Sequence, residues 1–330
     1  MNYNYYQIYG LTVKSTQKIE HLVSTNNKNI DVTISFIEKQ TEKEFRFTNK
    51  PTKIYSSHGL AQNGIPFLTI YKQYENNQEF LVIRYTNGGK VAFFIADYEG
   101  KNIKVLYHPN ILIDDILTYF LGPVIGCVLR LKNKVCLHAS VVNINNKAVA
   151  FIGEKTAGKS TLIASFASLG YPILSDDIAV LFKKDNKYFV EKGYPRMRLW
   201  KNTIENIPNI SIKDLKPVLS HIEKYYLPLN LEQSNQWNFQ NEPLVLDKVY
   251  YLKPRNEDNF CQINDCRPLE GFLKLKKNIY AEYMLEDDLK AEEFKVFGDL
   301  SVLNMVNLLD RPNDLNSIEN SIKTIVNYIS

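Results

Sequence analysis

Hydrophobic and polar positions follow two different rhythms along the 330 residues. Up to about residue 110 apolar side chains tend to alternate with polar ones, the period of a half-buried strand. Val32, Ile34 and Phe36 share one face of such a segment. Leu81-Val82-Ile83-Arg84-Tyr85 and Val91-Ala92-Phe93-Phe94-Ile95 flank Asn87-Gly88-Gly89, which predicts a hairpin. A second turn at Glu99-Gly100 leads into Ile103-Lys104-Val105-Leu106-Tyr107. Residues 1–110 are therefore expected to form a mostly antiparallel, β-rich domain. It carries no catalytic motif, so its expected role is structural or substrate docking.

From about Leu112 the rhythm changes. The apolar window from Ile116 to Leu131 predicts a buried helical segment kinked at Pro123. Val135 to Val142 predicts a strand. Asn145-Asn146 turns the chain into Ala148-Val149-Ala150-Phe151-Ile152, a continuous apolar run expected to be a buried strand. Leu162, Ile163, Phe166 and Leu169 fall at helical spacing, with Gly170 where a helix C-cap belongs. Ile173-Leu174 leads to Ser175-Asp176-Asp177, and a further strand is expected over Ile178 to Phe182. Val249 to Leu252 predicts another strand. Residues 317–329 predict a terminal helix, with Asn316 and Glu319 as a capping pair. The expected fold class is α/β: a domain over 111–330 with a mixed sheet and helices, preceded by the smaller β-rich domain.

Bulk properties narrow the functions. The net charge of +4 comes from interspersed acids and bases with no long basic run, so nucleic acid is not an expected partner. The most apolar window is too short for a spanning helix, which needs about 20 residues. No basic region leads an apolar stretch at the N-terminus, so no signal peptide and no membrane association are expected. Cys127, Cys136, Cys261 and Cys266 are scattered, without the spacing of a zinc site. Reduced thiols in a cytoplasmic protein are the expectation.

Between the Ala148–Ile152 run and the helix lies Gly153-Glu154-Lys155-Thr156-Ala157-Gly158-Lys159-Ser160, followed by Thr161. This is G-x-x-x-x-G-K-[ST], a phosphate-binding loop. Its glycines let successive N–H groups point at a phosphate, and the following helix sets its positive end on the same anion. Lys159 would reach the β- and γ-phosphates, and the Ser160 hydroxyl would ligate Mg²⁺. Strand, glycine loop and helix occur in the required order. ATP and Mg²⁺ are the expected cofactors, bound by residues 153–161.

The loop alone says only nucleotide binding. Asp176-Asp177 adds chemistry, because acids at the end of an apolar run shortly after the loop helix suit a metal-holding strand end. Adjacent strand residues point to opposite faces, so one could face Mg²⁺ and the other an acceptor hydroxyl. His138, on the strand before the loop strand, is a third candidate. A lone strand histidine is as readily structural as catalytic.

Leu137-His138-Ala139-Ser140, the loop, Gly170 to Asp177, and Gly193-Tyr194-Pro195-Arg196-Met197-Arg198-Leu199-Trp200 together resemble the HPr kinase/phosphorylase-related kinases. Tyr9 to Ser15 and Lys224-Tyr225-Tyr226-Leu227-Pro228-Leu229 resemble the branch associated with ribosomally made peptides, the lasso-peptide precursor kinases. The resemblance implies an HPr kinase-like domain over 111–330 that transfers phosphate from ATP to a serine of a peptide or protein. It implies Lys159 on phosphate, Ser160 and Asp176 at the metal, Asp177 as proton acceptor and His138 at the active site. Arg196 and Arg198, two apart and on one face if extended, would clamp a γ-phosphate or substrate carboxylate. Members of the superfamily form oligomers, so a homo-oligomer is an expectation carried by the resemblance alone.

The chain departs from HPr kinases where it carries Pro195 to Trp200 in place of an Arg-Gly-x-Gly signature and its metal-binding acid. Reverse phosphorolysis and recognition of HPr are accordingly not expected. No role is assigned to Lys224–Leu229 or to Arg311-Pro312. Two other readings share the nucleotide loop: a kinase for a free amino acid or sugar, and a nucleotide-binding accessory protein without transfer activity. The Asp pair and His138 weigh against the second.

Overall fold

The computed structural model describes residues 3–39, 49–60, 64–87, 90–207, 210–219, 222–232, 234–256, 260–284, 286–313 and 317–329. Two compact units divide the chain: Met1–Asn133 with Ala281–Leu285, and Lys134–Tyr280 with Glu286–Ser330.

The first unit is built on one sheet. Its strands are β1 (Asn4–Ile8), β2 (Leu11–Ser15), β3 (Val23–Ser24), β4 (Val32–Glu38), β5 (Thr52–Ser56), β6 (Leu68–Glu75), β7 (Gln78–Asn87), β8 (Lys90–Asp97) and β9 (Asn102–Tyr107). They lie in the order β3-β1-β2-β4-β9-β8-β7-β6-β5. Pairing is antiparallel except at β2–β4 and β4–β9. Val32 and Ile34 are buried, as their alternation predicts, and Phe36 is half-buried. β7 and β8 pair from Phe80↔Asp97 to Asn87↔Lys90; the Gly88-Gly89 turn between them lies outside the described residues. Gly100, at φ 65°, closes the next turn by donating its N–H to the Asp97 carbonyl.

The helical segment follows as α1 (Ile113–Tyr119), a π-turn (Phe120–Val124) and α2 (Ile125–Leu131). The break falls at Gly122, at φ −120° and ψ −110°, immediately before Pro123. Proline has no N–H to give the helix ladder and disfavours helical geometry in the residue before it. This segment belongs to the first compact unit, whereas its sequence pattern had grouped it with the second domain. Among the described residues no helix is long and apolar enough to cross a membrane.

The second unit is mixed α/β. Its strands are β10 (Val135–Leu137), β11 (Ser140–Ile144), β12 (Lys147–Ile152), β13 (Ile173–Ser175), β14 (Ala179–Lys184), β15 (Lys187–Val190), β16 (Arg196–Trp200), β17 (Lys216–Pro217), β18 (Lys224–Pro228), β19 (Leu244–Leu252), β20 (Gln262–Asp265) and β21 (Val306–Asp310). Its helices are α3 (Lys159–Ser168), α4 (Lys201–Ile204), α5 (Pro268–Lys277), α6 (Asp287–Val302) and α7 (Ile318–Ile329). The main sheet runs β10-β14-β15-β19-β12-β11-β13, with β21 added beside β19, and β16-β18-β17 form a separate small sheet. β12, β19 and β21 are parallel, so their C-terminal ends lie together.

The core explains why the loop strand and its helix stay together. Ala148 to Ile152 are fully buried. Phe151 stacks on Phe166 of α3 at 5.7 Å and on Tyr250 of β19 at 5.8 Å. Burying each such ring is worth roughly 1.5–3 kcal/mol. α3 ends as its sequence predicts: Gly170, at φ 92°, donates to Ala167, and Tyr171 donates to Phe166. In α7, Ile322, Ile325 and Ile329 are buried; Asn316, the expected cap, lies outside the described residues.

One expectation is corrected. The segment from Val135 to Val142 is two strands, broken at His138-Ala139. β10 pairs with β14, whereas β11 pairs with β12 and β13. The chain changes partners at His138, whose N–H goes instead to the Asn278 carbonyl at 2.6 Å. His138 therefore sits in a break between strands.

Candidate active site

The loop after β12 needs conformations that most residues avoid. Gly153, Thr156 and Gly158 have φ of 156°, 71° and 86°. A Cβ on Gly153 would come 3.2 Å from the Leu252 carbonyl oxygen, so the first glycine is required by close approach to β19. Ala157 N–H donates to the Glu154 carbonyl at 3.1 Å and closes the turn. The Gly153 N–H donates to Asn278 Oδ1 at 3.0 Å.

α3 begins without a side-chain cap, and its first backbone bond is Leu162 N–H to Gly158 at 3.0 Å. The N–H groups of residues 158–161 thus have no acceptor among the described residues. Lys159 is buried beside them and donates to the carbonyls of Gly153 at 2.7 Å and Glu154 at 3.2 Å. Burial holds its ammonium below the ordinary lysine value, against the opposing pull of Asp177 and Asp176. Open N–H donors, a helix N-terminus and a buried cation facing one point fit a nucleotide's phosphates.

Asp176 and Asp177 lie in the turn between β13 and β14, and the turn separates their roles. Asp176 is buried. Its Oδ1 accepts from Ser140 Oγ at 2.9 Å and from Ser160 Oγ at 3.4 Å, and its Oδ2 accepts from the Arg198 N–H at 3.0 Å. Asp177 takes φ 68°, a left-handed conformation that aspartate tolerates. Its carboxylate lies 3.7 Å from Arg198 Nη1, and its carbonyl accepts from His138 Nδ1 at 3.1 Å. A carbonyl can only accept, so the His138 proton sits on Nδ1. Burial, then Lys159, push the His138 pKa down.

The two carboxylates are electrostatically unlike. Burial, then the Asp177 charge, push Asp176 up. Burial acts the same way on Asp177, but Lys224, Arg198, His138 and Lys159 outweigh it and hold that carboxyl below the ordinary value. Carboxylates driven apart in this way suit different tasks. Among the described residues no cluster of three or more His, Cys, Asp or Glu could hold a metal by itself. Ser160 Oγ and Asp176 Oδ1 do offer an oxygen pair. Their 3.4 Å separation is near the ~2.9 Å between neighbouring oxygens of an octahedral Mg²⁺ shell, a metal that completes its shell with water and phosphate.

Of the sequence-predicted residues, Lys159, Ser160, Asp176, Asp177, His138 and Arg198 come together. β16 is a strand, so Arg196 and Arg198 share a face as expected, and both guanidiniums stand over the Tyr226 ring, at 4.4 and 5.7 Å. Sequence reasoning missed four partners: Ser140 and Lys224 around the acids, Asn278 on Gly153, and Arg311, whose Nη2 donates to the Ala157 carbonyl at 2.8 Å. Lys224 and Arg311 lie in stretches that stood out in the sequence without a role. Asn278 had no signal, because its contact spans 125 residues.

Comparison with known proteins finds a sequence relative. The similarity is to an HPr kinase/phosphorylase. That protein, from Mycoplasmopsis pulmonis (strain UAB CTIP), is 27% identical over 183 residues, which cover 53% of this chain and 52% of the relative. The homology is of modest identity, and the chain spans about half the length of the curated relative it matches. No family model matches. The HPr(Ser) kinase/phosphatase from Coxiella burnetii aligns over 58% of this chain and 95% of its own, at 12% identity and a TM-score of 0.29, a superposition too loose to carry argument.

Proposed function

We propose that this chain transfers a phosphoryl group from ATP to a serine hydroxyl of a peptide or protein, with a ribosomally made, lasso-type precursor peptide as the substrate class. One observation carries the reading: the loop serine Ser160 stands 3.4 Å from Asp176 while the neighbouring Asp177 is turned to Arg198. A phosphate cradle and a pair of differently tuned acids thus meet at one point.

In this reading the N–H groups of 158–161 and Lys159 bind the β- and γ-phosphates, Lys159 exchanging its two carbonyl acceptors for phosphate oxygens. Mg²⁺ held by Ser160 and Asp176 would neutralise charge on the transferring group. Asp177, kept ionised by Lys224 and Arg198, takes the serine proton. The serine oxygen then bonds to the γ-phosphorus as the bond to the β-phosphate oxygen breaks and ADP leaves. A base so placed contributes about 10²–10⁴-fold. His138 holds the Asp177 backbone in its left-handed turn, and Arg198 fixes its carboxylate and adds charge beside the transferring phosphoryl. The β-rich first unit would dock the substrate. The homologue's name supports the kinase class. The segment Pro195 to Trp200, which replaces the Arg-Gly-x-Gly signature, supports an acceptor other than HPr.

The test is incubation with γ-labelled ATP and three acceptors: a serine-bearing precursor peptide, HPr, and free amino acids or sugars. Serine-bound label on the peptide is expected. Label only on HPr or only on a small molecule would overturn the peptide assignment.

A further inference from the structure

The loop has a second charged neighbour on the flank away from the acids. Arg255 follows β19 and Arg311 follows β21, and both strands run parallel to β12. Both arginines therefore emerge at the end of the sheet where the loop lies, the end at which open α/β sheets bind ligands. The two segments are tied together: Asn256 N–H donates to the Arg311 carbonyl at 3.0 Å, and Asn313 N–H to the Asn256 carbonyl at 2.9 Å.

Both guanidiniums lie against the last glycine of the loop. A Cβ on Gly158 would sit 3.0 Å from Arg255 Nη2 and 3.6 Å from Arg311 Nη1. Arg311 is 5% exposed, and its Nε is buried with no hydrogen-bond partner among the described residues. No carboxylate among the described residues pairs with either arginine. Burial, then the Arg255 charge, push the Arg311 pKa down to about 10. Two guanidiniums and a helix N-terminus thus converge on the loop, with no carboxylate among the described residues paired to either arginine. A small cleft beside them is lined by Leu162, Pro312, Ile318 and Ser321.

Position on the sheet says which anion. Asp176 and Asp177 follow β13, which lies beyond β11 on one side of β12, whereas the arginines follow β19 and β21 on the other. A triphosphate laid across the loop with its γ end at the acids puts its nucleoside end at the arginines. We infer that Arg255 and Arg311 form a subsite for the α-phosphate of the nucleotide, and so are binding residues for the substrate of the phosphoryl transfer. This rests on the nucleotide reading above.

The experiment titrates ADP with Mg²⁺, and separately inorganic pyrophosphate, into the full chain by calorimetry. The proteins are wild type, Lys159→Ala, Arg255→Ala and, because Arg311 is buried, the conservative Arg311→Lys with a thermal melt as a folding check. Loss of a charge-assisted contact predicts that Arg255→Ala weakens ADP about 10- to 100-fold, while pyrophosphate, which fits the β and γ positions, changes less than about twofold. Arg311→Lys, lacking the forked donor, weakens ADP in the same sense. An unchanged ADP affinity in Arg255→Ala, with ADP binding still dependent on Lys159, would sink the subsite and leave the nucleotide reading standing. Equal weakening of both ligands would refute the α-phosphate assignment. Failure of wild type to bind ADP at all would remove the nucleotide reading and the subsite with it.

Discussion

Asp177→Asn is the most discriminating substitution, because it removes a charge and keeps the shape. Asparagine tolerates the left-handed φ of 68° as aspartate does, and the backbone carbonyl that His138 holds is unchanged. The substitution loses the 3.7 Å pair with Arg198, whose side chains are 11% and 27% exposed, and the attraction of Lys224. The pair is mostly buried, so leaving Arg198 without it costs stability up to about 3–5 kcal/mol, which a thermal melt of the variant reads. Phosphate binding does not weaken, since Lys159 loses a neighbouring anion that competes for it. The rate is another matter. A general base contributes about 10²–10⁴-fold, equivalent to ~2.7–5.5 kcal/mol of barrier. Single-turnover transfer of label should fall by that factor while ADP titration with Mg²⁺ gives wild-type affinity. A rate within about threefold of wild type would refute Asp177 as base. Loss of Mg²⁺-dependent ADP binding as large as the rate loss would make Asp177 the metal ligand and reverse the pair.

Other outcomes follow from the same geometry. Lys159→Ala should bring transfer below detection and weaken ADP, because the buried ammonium faces the phosphate position; near-normal turnover would contradict the loop assignment. Phe166→Ala removes the ring that stacks on Phe151 and should destabilise the second unit by about 3–5 kcal/mol, read as a lower urea midpoint with unchanged slope. Gly158→Ala places a Cβ 3.0 Å from Arg255 Nη2 at φ 86° and should cost about 1–2 kcal/mol of stability as well as ADP affinity, checked by melts and titration.

Local pattern was enough for much of this molecule. The alternation at Val32–Phe36, the apolar run at Ala148–Ile152 and the helix closed by Gly170 all form where their periodicity places them. So does the kink before Pro123, since proline's effect is local. The error at His138 is instructive. Val135 to Val142 is apolar enough to be one strand, yet the chain leaves β14 and joins β12 and β13 halfway along. At that break the His138 N–H bonds to the carbonyl of Asn278, far away in sequence. The site divides the same way. The loop was legible because its chemistry is contiguous. Lys224, Ser140, Asn278 and Arg311 were not, because each reaches the loop or the acids from a distant strand or helix end, and no local spacing records that approach. The unlike tuning of Asp176 and Asp177 was also hidden, since it arises from burial and the Asp177 charge on Asp176 and from Lys224 and Arg198 on Asp177.

The most direct test of phosphoryl transfer by this chain is a γ-labelled ATP assay on the wild-type protein with a serine-bearing precursor peptide, followed by phosphopeptide mapping. Label on a serine, lost in both Lys159→Ala and Asp177→Asn, is the expected result. ADP bound with Mg²⁺ but no label on any acceptor would contradict it and leave a nucleotide-binding protein without transfer activity.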